Sequence, residues 1–225
     1  AKPRHVHYHS CQSNERIPGV AITQYEQDND ECLPNIAKSP GGAITWRSFI
    51  SPYFNGKQRF QCPSRDDDES KTLGPDGFPR SYAANYSGNY DGTIGDQGQG
   101  AFAGPGAKAI SFAELETPAT LIMLCEVHDS NAPEFNIDDP ARFGPAKHIL
   151  WAGHTGPGNI HSANFLFANG HVKLLAPSET AWHTIINRPV NPVQRNLWYR
   201  DGTQPLSPTG VAILAEAEKS GADQP

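Results

Sequence analysis

The chain has 225 residues, a net charge of −6 and only 37% hydrophobic residues, with 21 glycines and 20 prolines. That balance excludes a helical bundle, while four Trp, seven Tyr and ten Phe supply enough core material to exclude wholesale disorder. The scattered basic residues exclude a phosphate-binding surface, so nucleic acid is not expected as a partner, and no apolar run is long enough for a membrane span.

No signal peptide is recognised, and the start at Ala1 rather than Met reads as a processed chain. Residues 1–10 form an N-terminal arm in which His5, His7 and His9 fall at strand spacing and could take copper or zinc. Between Ser10 and Gln27 the residues Ile17, Val20, Ala21 and Tyr25 share one helical face. Pro18-Gly19 interrupts that face, so a kink, or a helix beginning only after the proline, is expected. Asp28 to Glu31 closes the element. After a Gly/Pro loop at 39–42, Trp46, Phe49, Ile50, Tyr53 and Phe54 mark a short amphipathic helix, and Phe60 to Cys62 reads as a short strand.

Residues 63–106 carry little regular pattern and read as a loop excursion. A helical turn is expected at Ser111 to Leu115 and a buried strand at Ala119 to Val127. Two apolar runs around Asn169-Gly170 predict a hairpin over 163–175 with a type I′ turn. A short helix capped by Ser178 should run to Ile186, and a last helix covers Val211 to Lys219. Residues 187–225 otherwise read as an arm lying on a neighbouring molecule.

The chemistry-bearing residues are dispersed. There is no His-Glu-x-x-His, no Gly-x-Ser-x-Gly and no phosphate-binding Gly-rich loop, so an enzyme is not expected. Glu126, His128 and Asp129 could be joined by His154, His161 and His171 in a zinc set. Asp66 and Asp68 in the run 66–69, with Asp91 and Asp96, lie in Gly-rich loops able to bend round Ca²⁺. Asn85-Tyr86-Ser87 is a glycosylation sequon. Tyr86, Tyr90, Trp151, Trp198 and Tyr199 could stack on sugar rings. Cys11, Cys32, Cys62 and Cys125, without any Cys-x-x-Cys pair, fit two disulfides in an oxidising compartment.

Four blocks, in order, resemble the secreted bacterial type IV pilin-like and major pseudopilin-like proteins with a His…Asp-Gly-His-Val hairpin signature. They are Cys11 to Pro34, Trp46 to Tyr53 followed by Phe60-Gln61-Cys62-Pro63-Ser64, Ser81-Tyr82-Ala83-Ala84-Asn85, and Thr117 to Leu124 followed by Ala163 to Leu175. Polar, His-bearing residues stand where the family carries its N-terminal membrane segment, and Asn169 stands where the signature has Asp. The resemblance implies an α+β fold over 11–186, with an N-terminal helix packed on an antiparallel sheet and extended terminal arms. It implies an extracellular structural protein that self-assembles into a filament, tube or surface layer, with Ca²⁺ ordering a loop. It also implies Cys11–Cys62 as a pair, since relatives carry cysteines there, leaving Cys32–Cys125. The alternative from a different class is a monomeric secreted module that binds a polysaccharide or a metal.

Overall fold

The computed structural model describes residues 8–39, 43–64, 73–86, 99–127, 134–135, 137, 150–156, 160–181, 183–187 and 191–220. Helix α1 (Tyr8–Asp28) runs unbroken through Pro18. Its inward face carries Cys11, Glu15, Pro18, Ala21, Ile22 and Glu26, the spacing of a single helical stripe. A proline in a helix interior costs about 3 kcal/mol because one carbonyl loses its donor. Here the turns before it are held from outside: Cys11 is disulfide-bonded to Cys62, and Asn14 Nδ2 donates to the Gln61 carbonyl at 3.1 Å. The helix therefore does not begin only after the proline, one of the two outcomes expected. Gly19 packs against the sheet; a Cβ there would sit 3.0 Å from Leu166 Cδ1. The helix ends as expected near Asp28. Asn29 and Glu31 both donate backbone N–H groups to the Glu26 carbonyl, and Asp30 and Glu31 take left-handed φ angles of 54° and 57°.

Helix α2 (Trp46–Ile50) passes into a 3₁₀ turn, Ser51–Tyr53. Trp46 is fully buried edge-on to Phe60, with ring centroids 5.5 Å apart. Beside it Arg47, also fully buried, pairs with Asp76 at 3.2 Å and donates to the Tyr82 carbonyl. Residues Lys57–Phe60 form a 3₁₀ turn where the sequence suggested the start of a strand.

The main sheet contains β1 (Tyr82–Asn85), β2 (Ile122–Glu126), β3 (Glu134–Phe135), β4 (His154–Thr155), β5 (His161–Phe167) and β6 (Val172–Leu175). The path β3-β1-β2-β5-β4 is antiparallel except for β3 on β1, and β6 also pairs with β5. Alternation of side chains sorts the sheet into two faces. Ala84, Leu124 and Leu166 join α1 and α2 in one core. Ala83, Ile122, Cys125, Ala163, Phe165 and Phe167 join a second core on the opposite face. A register shift between Ile122 and Leu124 lets consecutive Met123 and Leu124 both meet the first core.

The hairpin β5–β6 stands where expected, but its turn differs. Only Gly170 has a positive φ, 85°; Gly170 N–H donates to the Phe167 carbonyl and Phe167 N–H to the His171 carbonyl. This is a three-residue loop, a type I turn closed by a left-handed glycine, rather than a type I′ turn. Residues Pro177–Thr180 make a 3₁₀ turn, and the expected helix to Ile186 is replaced by a separate two-stranded ribbon, β7 (His183–Asn187) with β8 (Asn191–Arg195). Helix α3 (Pro208–Ser220) matches the last predicted helix. The stretch read as an arm for a neighbour packs on its own chain: Leu197, Trp198, Leu206, Leu214 and Ala217 are buried in the second core. The result is an α+β fold with α1 and α2 on one side of the sheet and the C-terminal segment on the other. Among the described residues no helix is long and apolar enough to cross a membrane.

Candidate functional site

At one end of the α1-facing side of the sheet, polar groups from several elements meet out of contact with water. Glu126 ends β2, His154 opens β4, and Asn164 lies on β5 two residues before Leu166, so it points to the same face. His154 Nε2 lies 3.0 Å from Glu126 Oε1, with side-chain exposures of 2% and 0%. Asn164 donates twice to the same carboxylate, its backbone N–H to Oε2 at 2.7 Å and its Nδ2 to Oε1 at 3.2 Å. The Trp151 ring stands edge-on to His154, with centroids 4.8 Å apart. Over this pair α1 places Cys11, bonded to Cys62 with Cα atoms 5.1 Å apart, inside the ordinary range for a disulfide. Tyr82 donates its hydroxyl to the Cys11 carbonyl at 3.5 Å, and the Ser64 hydroxyl lies 3.2 Å from Cys11 Sγ. One donor atom from each of Cys11, Cys62, Glu126 and His154 lies within 4.8 Å of every other.

Glu15 follows Cys11 by one helical turn and is fully buried. Burial, then the Glu126 charge, hold its carboxyl well above the usual carboxylate range, against a smaller opposing pull from the Leu166 backbone. Burial likewise raises the Cys125 thiol, helped by the charges of Glu15 and Glu126. Away from the cluster, burial lifts Glu26 to about 7.

Of the zinc set read from the sequence, Glu126 and His154 come together. His161 pairs with Thr155 across β5 and β4, and His171 stacks on Phe167 at the hairpin turn, so neither joins them. His128 and Asp129 lie outside the described residues, as do the calcium candidates Asp66, Asp68, Asp91 and Asp96 and the histidines His5 and His7. His9 sits in the first turns of α1, not in a strand. The second expected disulfide is not formed: Cys32 is half-buried beside its bridge to Ser111, and Cys125 is buried in β2, both as free thiols. The sequon asparagine is closed to glycosylation. Asn85 is fully buried, and its Nδ2 donates to the carbonyls of Ile122 and Trp198 at 2.7 and 2.8 Å. Tyr86, Trp151, Trp198 and Tyr199 are all buried within the chain itself, and Tyr90 lies outside the described residues. Those four therefore offer no stacking platform for a sugar.

Cys11, Glu15 and Cys62 were not linked to Glu126 and His154 in the sequence reading. The usable signal was the Cys11/Glu15 spacing of one helical turn, which puts a sulfur and a carboxyl on one face. No family model, no curated protein and no solved structure matches this chain.

Proposed function

We propose that this chain is an extracellular structural subunit that self-assembles into a filament, tube or surface layer, in the manner of the pilin-like proteins its block order resembles. The observation that carries the reading is α1. A helix of 21 residues is fastened to the sheet by the Cys11–Cys62 disulfide, while its outward stripe of Ser13, Arg16, Val20, Thr23, Gln24 and Gln27 stays uncovered. Val20, 60% exposed, is the apolar centre of that otherwise polar stripe. The disulfide goes with an oxidising, extracellular location. The Glu126–His154–Asn164 network fits the same reading as a brace, because it is sealed under Trp151 and Tyr82 rather than opened to a substrate. Calcium held by Asp66, Asp68, Asp91 and Asp96 would add joints between subunits.

Light scattering and negative-stain microscopy over a concentration series test the proposal. Ordered polymers that Val20→Glu disperses are the expected result, and their loss on adding a calcium chelator would place ions at the joints. A monodisperse species near 24.4 kDa at every concentration would overturn the reading. The metal-binding half of the alternative draws support from the sulfur–histidine–carboxylate cluster. Of the polysaccharide half's five aromatics, Tyr86, Trp151, Trp198 and Tyr199 are buried in the chain.

A further inference from the structure

The geometry points to a redox-gated metal site: when the Cys11–Cys62 disulfide is reduced, the two sulfurs, His154 and Glu126 hold one zinc-class divalent ion in place of the bond. The four donors are already assembled, each within 4.8 Å of the others, on fully or almost fully buried side chains. Tetrahedral zinc with ligand bonds of 2.0–2.3 Å sets its donors about 3.3–3.8 Å apart. His154 Nε2 and Glu126 Oε1, at 3.0 Å, need only spread slightly to admit the ion; the two sulfurs, bonded to each other in the disulfide, must separate on reduction to about 3.8 Å, and the sulfur-to-nitrogen and sulfur-to-oxygen separations need to close by about 1 Å or less. Two thiolates, an imidazole and one carboxylate favour zinc over calcium, which takes six to eight oxygens.

The surroundings match what such a site requires. Asn164 fixes the Glu126 carboxylate through both of its oxygens, and the Trp151 ring holds one side of His154. Beside the cluster, on the same helical face as Cys11, lies the fully buried Glu15 carboxyl.

The chemistry balances as a dithiol exchange followed by metal uptake. A dithiol reductant transfers two electrons and two protons to the S–S bond, giving two thiols and its own cyclic disulfide. Binding of the ion then releases both thiol protons to solvent as two metal–sulfur bonds form, and the proton between His154 Nε2 and Glu126 Oε1 passes to His154 Nδ1 or to solvent as both atoms bind the ion. Oxidation by a disulfide-bearing oxidant runs the sequence backwards and expels the ion. The inference does not depend on whether the chain polymerises.

The test uses the whole chain, with Co²⁺ as the spectroscopic probe and Zn²⁺ as competitor, in a phosphine reductant and in its absence. The reduced chain should take up one Co²⁺ with a sulfur-to-metal charge-transfer band that Zn²⁺ abolishes, and the oxidised chain should take up none. X-ray absorption of the zinc-loaded wild type should count two sulfur and two nitrogen or oxygen neighbours, a readout that needs no folded variant. Cys32→Ser should leave uptake unchanged, while Cys62→Ser should lose the charge-transfer band or reduce it by half. Circular dichroism followed in parallel covers the case in which reduction unfolds the chain: refolding on metal addition supports the site. A reduced chain that binds no ion, folded or not, overturns it. So does a site with any other sulfur count, or equal uptake by the oxidised chain.

Discussion

Glu15 places a carboxyl in full burial, and its protonation makes the chain's stability depend on pH. The folded form keeps the proton well above about pH 4.3, where an unfolded glutamate loses it. Above that pH the folded chain binds one proton more than the unfolded chain, so the group's stabilising contribution is complete at acid pH and is lost as pH rises. While Glu15 remains protonated the loss is about 1.4 kcal/mol per pH unit. Glu15→Gln removes this dependence. In thermal melts the variant should gain on the wild type as pH rises from about 4.3, by roughly 3–5 °C for each unit over which the folded chain keeps the proton. A constant difference above that pH would mean that the carboxyl is ionised in the folded chain. Glu26, lifted to about 7 by burial, adds a loss of the same sign that begins near pH 4.5 and ends near 7, and Glu15→Gln leaves that part of the slope in place.

At the scale of elements, α1 shows how far periodicity carries and where it stops. Of Ile17, Val20, Ala21 and Tyr25, read as one face, only Ala21 is buried and Val20 is 60% exposed, since the buried positions Glu15, Pro18 and Glu26 carry no hydrophobic signal. The presence of the helix was legible from that spacing. The fate of Pro18 was not, because the anchor for the preceding turns comes from Cys62 and Gln61, 51 and 47 residues away in sequence from Cys11 and Asn14. The same distance hid the candidate site: its donors come from α1, the loop after a 3₁₀ turn, β2 and β4, and no local spacing connects them. The hairpin over 163–175 was legible for the opposite reason, since its signal is local. Only its turn type escaped, because Asn-Gly serves a three-residue loop as well as a two-residue one. The anchored half of α1 yields a prediction. Pro18 interrupts the helix hydrogen-bond ladder, so residues 8–17 depend on the disulfide more than residues 19–28 do. Replacing both Cys11 and Cys62 by alanine should cost about 2–4 kcal/mol. Hydrogen exchange should accelerate in 8–17 while 19–28 stay protected. Uniform acceleration along α1 would show that the helix opens as one unit.

At the scale of the whole molecule, one sheet separates two cores, and the second core was the part least visible in the sequence. Residues after Asn187 are rich in proline and weakly patterned, so they read as an arm. Yet Trp198 is fully buried, stands edge-on to Phe165 with centroids 5.9 Å apart, and donates Nε1–H to Thr180 Oγ1 at 2.8 Å. Asn196 Oδ1 accepts the Trp198 backbone N–H at 2.8 Å, and Asn85 reaches its carbonyl from β1. The tail thus closes the open face of its own sheet, and truncating its anchor should act on folding, not on association. Trp198→Ala should destabilise the chain by about 3–5 kcal/mol, the range for losing a large aromatic from a core. The melting temperature should fall by roughly 6–20 °C, to the same extent in dilute and concentrated samples. An arm bound to a neighbour would behave differently. Its loss would leave the dilute chain's melting point unchanged and lower only that of the concentrated sample, because the anchor would contribute only where two molecules meet.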